Sequence, residues 1–346
     1  MRRPSRNALL RATLGIGISL VAIWILLRSV DVGAAVEVLR TASPVWIAFM
    51  LVAVLIDVGA RGARWQALLR PIQAIPYRRV LGYTYVGYLA NNVLPARLGE
   101  LVRSHALGEG EGLSRTTVLG TVVVERIVDT LIVVALAALS VVVLSVRGVL
   151  SSAVLLGAAF VGLLVVGLIV GMAAHRLPGA DRVTRTAQRW PKLVSLAARL
   201  REGLSVAGKP RTVLAAVCWS AVAWSASILT GLAAGQAIGV ELTLAQGALL
   251  SSGVALVTIV PSGPGYVGTF ELTAVSILST FGVPTDQAFA LALLVHVMIL
   301  AVTSVGGVIA ALRLHVGLGT GSSEEPVATD RPPTPPAPPV SSAPSA

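Results

Sequence analysis

The sequence predicts an all-α, polytopic membrane protein: about six spanning helices and two re-entrant broken helical segments, arranged as an inverted repeat. Three observations carry this. The 346 residues are 55% hydrophobic and only 12% charged, with a mean hydropathy of +0.83, whereas soluble domains average roughly 25% charged residues. The apolar residues come in long blocks. Neither 148–174 nor 212–240 holds a charge, and about 20 apolar residues cross a bilayer. Finally, two further apolar stretches, 80–115 and 243–281, are interrupted by Gly, Pro and Asn.

Spans are expected over 9–28, 44–60, 116–146, 149–174, 212–236 and 287–312. The first follows Arg2, Arg3, Arg6 and Arg11. It resembles a signal peptide, but its apolar run is long and no small-residue cleavage site follows, so a retained signal anchor is expected. The N-terminal arginines, then Arg61, Arg64, Arg70, Arg78 and Arg79, and a loop from 176 to 211 with nine Lys/Arg against Asp181 and Glu202, mark one side. Only Arg28, Arg40 and Arg147 fall on the other. The positive-inside bias then puts both termini in the cytoplasm of a cell-membrane protein. The expected organisation is a membrane domain over 1–315, with halves of about 44–146 and 212–312. A basic cytoplasmic loop covers 175–211, and a disordered Pro-rich cytoplasmic tail covers 316–346.

The topology requires each broken segment to enter and leave on one side, packed in protein or lining a wet cavity. The first contains Asn91-Asn92-Val93-Leu94-Pro95 and then Gly99-Glu100. The second contains Pro261-Ser262-Gly263-Pro264-Gly265 and then Gly268-Thr269-Phe270-Glu271. Pro removes a helix donor and Gly relaxes the backbone, so each cluster should end one half-helix and start another. The landmarks also match in spacing. Gly112 to Arg126 and Gly282 to His296 are both fourteen residues, and Glu100 to Arg126 is twenty-six against twenty-five for Glu271 to His296. Inverted repeats with discontinuous helices are typical of secondary transporters, whose site lies near the midplane.

Glu125, Arg126 and Asp129 interrupt an apolar helix, with Arg126 roughly 16 Å beyond Arg115 at about 1.5 Å per residue. Charges at that depth cost a few kcal/mol each, which leaves two readings: an internal ion-pair lock, or an Arg126 that meets an anionic head group while the acids hold it. His296 is comparably deep, as a structural hydrogen-bonder or as a group that titrates near neutral pH. Arg97, Glu100 and Arg103 flank the first break and Glu271 follows the second. Half-helix N-termini together with Arg97 and Arg103 would suit a phosphate, unless these arginines are ordinary membrane-edge charges. The charge of +11 points to anionic lipid rather than nucleic acid, because the basic residues interrupt apolar blocks. Cys218 is alone and the four His are scattered, so no metal site or cofactor is expected. Ser262 with His296 fits a serine protease poorly, and the sequence has no G-x-x-x-x-G-K-[ST] loop for ATP.

The run Asn91-Asn92-Val93-Leu94-Pro95-Ala96-Arg97-Leu98-Gly99-Glu100-Leu101-Val102-Arg103 resembles the signature of the lysylphosphatidylglycerol synthase transmembrane region, or flippase-like membrane proteins. Val124-Glu125-Arg126-Ile127-Val128-Asp129 is similar to that family's second motif, and Pro264-Gly265-Tyr266-Val267-Gly268-Thr269-Phe270-Glu271 to its third. The likeness covers roughly 10–315. It implies a membrane domain that moves lipids with charged head groups between leaflets, and a non-enzymatic chain with no aminoacyl-transferase domain. His296 stands where the family commonly has Arg. On this reading Arg97, Arg103, Arg126, His296, Asn91 and Asn92 bind an anionic phospholipid or lipid-linked phosphate. Glu100, Glu125, Asp129 and Glu271 are their charge partners. Pro95, Gly99, Pro261, Pro264, Gly265 and Gly268 break the helices. A non-transporting partner of a lipid-modifying or glycosylating enzyme, docked through the basic loop, is the alternative. A homo-oligomer is compatible with either.

Overall fold

The computed structural model describes residues 6–94, 98–146, 152, 205–258 and 262–316, with side chains from residue 16 onward. The expected span 149–174, most of the basic loop, the Pro-rich tail, and Pro95, Arg97 and Pro261 lie outside the described residues.

Helices make up all the regular structure among the described residues. They are α1 (Arg6–Ser29), α2 (Val32–Arg40), α3 (Pro44–Leu69), α4 (Tyr77–Val93), α5 (Gly99–Glu111), α6 (Arg115–Val143), α7 (Pro210–Ala237), α8 (Leu244–Val257), α9 (Thr269–Ser279) and α10 (Thr285–Leu314). Short 3₁₀ turns cover Ser205–Gly208 and Pro264–Tyr266. Four helices, α3, α6, α7 and α10, are long and apolar enough to cross a membrane, and a fifth span results if α1 and α2, bent by 83°, count together. Only 28–39% of each of the four apolar windows is buried within the protein. The rest is apolar surface that water would penalise and lipid does not.

Both interrupted segments are two helices flanking a break, as expected. Each lies between two long helices, so the order long, short, short, long occurs twice, as α3 to α6 and as α7 to α10. The packing is reciprocal. Helix α3 lies along α7, α4 packs on α10, and α8 packs on α6. Each first short helix therefore rests against the closing long helix of the other set. Arg126 and His296 are each the twelfth residue of their long helix.

One correction concerns α3. It was expected to end at residue 60, with Arg61 and Arg64 as membrane-edge charges, but it continues to Leu69, and Arg64 is fully buried. Both arginines remain in the helix because carboxylates meet them there, which removes the need to reach water.

The break between α4 and α5 is held by close backbone approach. Asn91 Oδ1 accepts from Gly99 N–H at 2.7 Å, and a Cβ on Gly99 would lie 2.1 Å from the Gly87 carbonyl oxygen. The α8–α9 break instead uses left-handed backbone at Gly265 (φ 65°) and Gly268 (φ 87°), which L side chains rarely adopt. Glu271 Oε2 closes it by accepting from Gly268 N–H at 2.7 Å.

Gly99→Ala should therefore cost about 1–3 kcal/mol through overpacking, read as a lower unfolding temperature in detergent. Gly17→Ala, with nothing within 4 Å of the added methyl, should leave that temperature unchanged or slightly raised.

Candidate functional site

Eight charged residues of α3, α5 and α6 form one connected network. Glu125 Oε1 accepts from Arg64 Nη2 at 2.9 Å, Arg103 Nη2 at 3.0 Å and Arg126 Nη2 at 2.9 Å. Asp129 Oδ1 accepts from Arg64 Nη1 at 2.7 Å and from the Trp224 indole at 2.9 Å. Arg61 joins Asp129 to Asp57, 2.9 Å away one turn earlier on α3. Glu100, on the first turn of α5, lies 4.0 Å from Arg126. Four carboxylates thus meet four guanidiniums, and the network is formally neutral. This cancellation is what makes charge tolerable at membrane depth, where an unpaired ion is expensive.

The network has a buried back and an open front. Arg64, Glu125 and Arg103 are buried, with Arg103 4.5 Å over the Trp65 ring. Arg126 keeps 37% of its side chain exposed, and its Nε hydrogen has no partner among the described residues. It faces a cavity of about 310 Å³, whose wall also includes Asp57, Arg61, Glu100, Asp129 and His296. Across this cavity the second break supplies its own pair. His296 Nδ1 meets Glu271 Oε1, its Nε2 lies 2.7 Å from the Gly265 carbonyl oxygen, and Phe270 stacks on the ring. The two halves therefore contribute parallel pairs, Arg126 with Glu100 and His296 with Glu271. Each joins the twelfth residue of a long helix to the first turn of the preceding short one.

The remaining expected site residues separate by position. Asn91 and Asn92 line the cavity, but Asn91 caps α5 and Asn92 donates to Thr303 at 2.9 Å and Ser304 at 3.0 Å. Arg103 lies behind the wall. Asp57, Arg61, Arg64, Tyr88 and Trp224 were not anticipated as site residues. The available signal was Asp57-x-x-x-Arg61, an i, i+4 pair followed by Arg64 on the same helical face. Groups of three or more metal-ligating side chains are absent among the described residues.

The model of the lysylphosphatidylglycerol synthase transmembrane region matches residues 12–307. The chain belongs to that family. The match spans α1 through most of α10, so both pairs and the whole described cavity fall within it. No curated protein matches the chain. As a member of this family it is a multi-pass membrane protein involved in lipid handling.

Arg64→Met should lower stability by about 3–5 kcal/mol, because it takes a shared guanidinium from two buried carboxylates and leaves the buried network with an excess negative charge, measured by chemical denaturation in detergent. Arg126→Met, on the open front, should cost clearly less.

Proposed function

We propose that this protein is a flippase-like translocator that moves lipids with charged head groups between the leaflets of the cell membrane. The observation that carries it is the shared cavity, which Arg126 enters from one half and His296 from the other. Its volume is near the low end of the roughly 300–1,000 Å³ typical of ligand sites, a size for a polar head group while the acyl chains stay in lipid. The wall presents Asp57, Glu100 and Asp129 beside Arg61 and Arg126, which suits a phosphate accompanied by a cationic or hydroxylated group. An anionic phospholipid or lipid-linked phosphate would place its phosphate on Arg126, whose side chain is partly exposed to the cavity.

In this reading α3–α6 and α7–α10 are inverted repeats, with α4–α5 and α8–α9 re-entrant and both termini cytoplasmic. The reciprocal packing of the short helices and the matched positions of Arg126 and His296 support it. Rocking of one half against the other around the cavity would alternate access. The chain acts without chemistry of its own on the lipid.

In vesicles reconstituted with fluorescent anionic lipid, Arg126→Ala should slow translocation about ten- to a hundredfold, since hydrogen bonds to charged groups contribute about 1.5–3 kcal/mol. Arg126→Lys should fall between, and size-exclusion profiles should match wild type. Equal rates for wild type, Arg126→Ala and protein-free vesicles would refute transport. A lipid-modifying enzyme co-purifying in stoichiometric amount would then favour the partner role.

A further inference from the structure

His296 lies between two acceptors. One ring nitrogen meets the Gly265 carbonyl oxygen and the other meets Glu271 Oε1. A neutral imidazole has one N–H and one lone pair, so beside a carboxylate and a carbonyl it would turn a lone pair toward one of them. Both contacts are hydrogen bonds only when the pair carries one proton beyond neutral imidazole and carboxylate, held between Nδ1 and Oε1. The other carboxylate oxygen of Glu271 is already engaged by Gly268 N–H. Burial leaves little water to substitute, with His296 3% and Glu271 5% exposed.

The surroundings make this proton consequential. Around the cavity that His296 lines, α3 brings Asp57 and Arg61, α4 brings Tyr88, α5 brings Glu100, and α6 brings Arg126 and Asp129. Helices α7 and α8 add only neutral groups such as Trp224, Ser227 and Ser251, and the 3₁₀ turn adds Tyr266. From α1, Ser19 accepts from Gly263 N–H, and α2 meets α10 at its first turn, where Asp31 N–H donates to Asp286. The four carboxylates and four guanidiniums of the network cancel. The Glu271–His296 proton therefore decides whether the site as a whole is neutral or negative.

We propose that the Glu271–His296 pair is a proton-binding site on the cavity wall, and that holding its proton is coupled to holding an anionic head group. The coupling rests on the translocator reading; the proton site does not. The exchange is a proton transfer alone: the Nδ1–H bond breaks, the proton passes to solvent, and the pair is left with one negative charge. An anion in the cavity favours the protonated pair. By reciprocity of linkage, affinity for the anion then falls as pH rises through the proton's dissociation, by at most about tenfold per pH unit for one proton. Deprotonation also removes one tie on the 262–268 break.

The test uses the full chain in detergent. Nuclear magnetic resonance of isotope-labelled histidine, with His296→Gln identifying the signal, reads both ring nitrogens of His296 from about pH 5 to about pH 9. The expected result is a ring with both nitrogens proton-bearing at the acidic end, losing one proton as pH rises, and shifted by short-chain phosphatidylglycerol but not by phosphatidylcholine. Phosphatidylglycerol affinity should fall with pH in wild type and in His105→Gln, and should lose that slope in both His296→Gln and His296→Arg. A His296 with one bare nitrogen throughout overturns the proton site. An unchanged slope in both His296 variants overturns the coupling. A titrating His296 with no lipid bound to any variant keeps the proton site and overturns the coupling together with the translocator reading.

Discussion

One carboxylate oxygen, Glu125 Oε1, accepts from three guanidiniums drawn from α3, α5 and α6. Taken alone that centre would carry two excess positive charges in a membrane interior. Asp129, Glu100 and the Asp57–Arg61 pair restore the balance, Asp129 through Arg64, Glu100 through Arg126 and Asp57 through Arg61. The helices are held in register by this requirement: moving any one of them by a turn would strand a charge where lipid cannot solvate it. The apolar packing around it, such as Trp65 and Leu107 on one side and Met50 and Leu291 on another, is less specific about position.

A network that cancels internally also disposes of its surplus unevenly. Arg64, Arg103 and Glu125 are buried in the scaffold, whereas Arg126 lines the cavity with 37% of its side chain exposed. The acid-rich motif around residues 125–129 thus faces two ways. It is a lock toward α3 and α5, and it presents Arg126 and Asp129 to the cavity.

Much of this was legible in the sequence because membrane insertion leaves a coarse signature. Apolar block length gave α6, α7 and α10 to within a few residues, and the Gly/Pro clusters gave both breaks. The matched spacing of Glu100 with Arg126 and of Glu271 with His296 was legible as a repeat, though not as the two contacts it turns out to mark. The end of α3 was misread for a physical reason. A window of hydropathy stops at the first charges, and nothing local indicates that Arg61 and Arg64 meet Asp129 and Glu125 some sixty residues away. The three-dimensional partner converts a boundary signal into an interior one. Trp224 and Ser220 were invisible for the same reason, being ordinary apolar-helix residues until Asp129 and Arg64 are placed beside them.

The two half-helix N-termini have been closed by their own chain, α5 through Asn91 and α9 through Glu271. One backbone donor at each, Gly99 N–H and Gly268 N–H, is occupied by a side chain of the chain itself. The cavity is lined instead by side chains that project from uninterrupted helices, among them residues 126 and 296. Among the described residues Arg126 makes no hydrogen bond or ion pair with the α8–α9 break, whereas His296 is tied into it through the Gly265 carbonyl and Glu271. The first half can therefore vary its cavity side chain while inheriting the fold intact, whereas in the second half the cavity side chain and the break must change together.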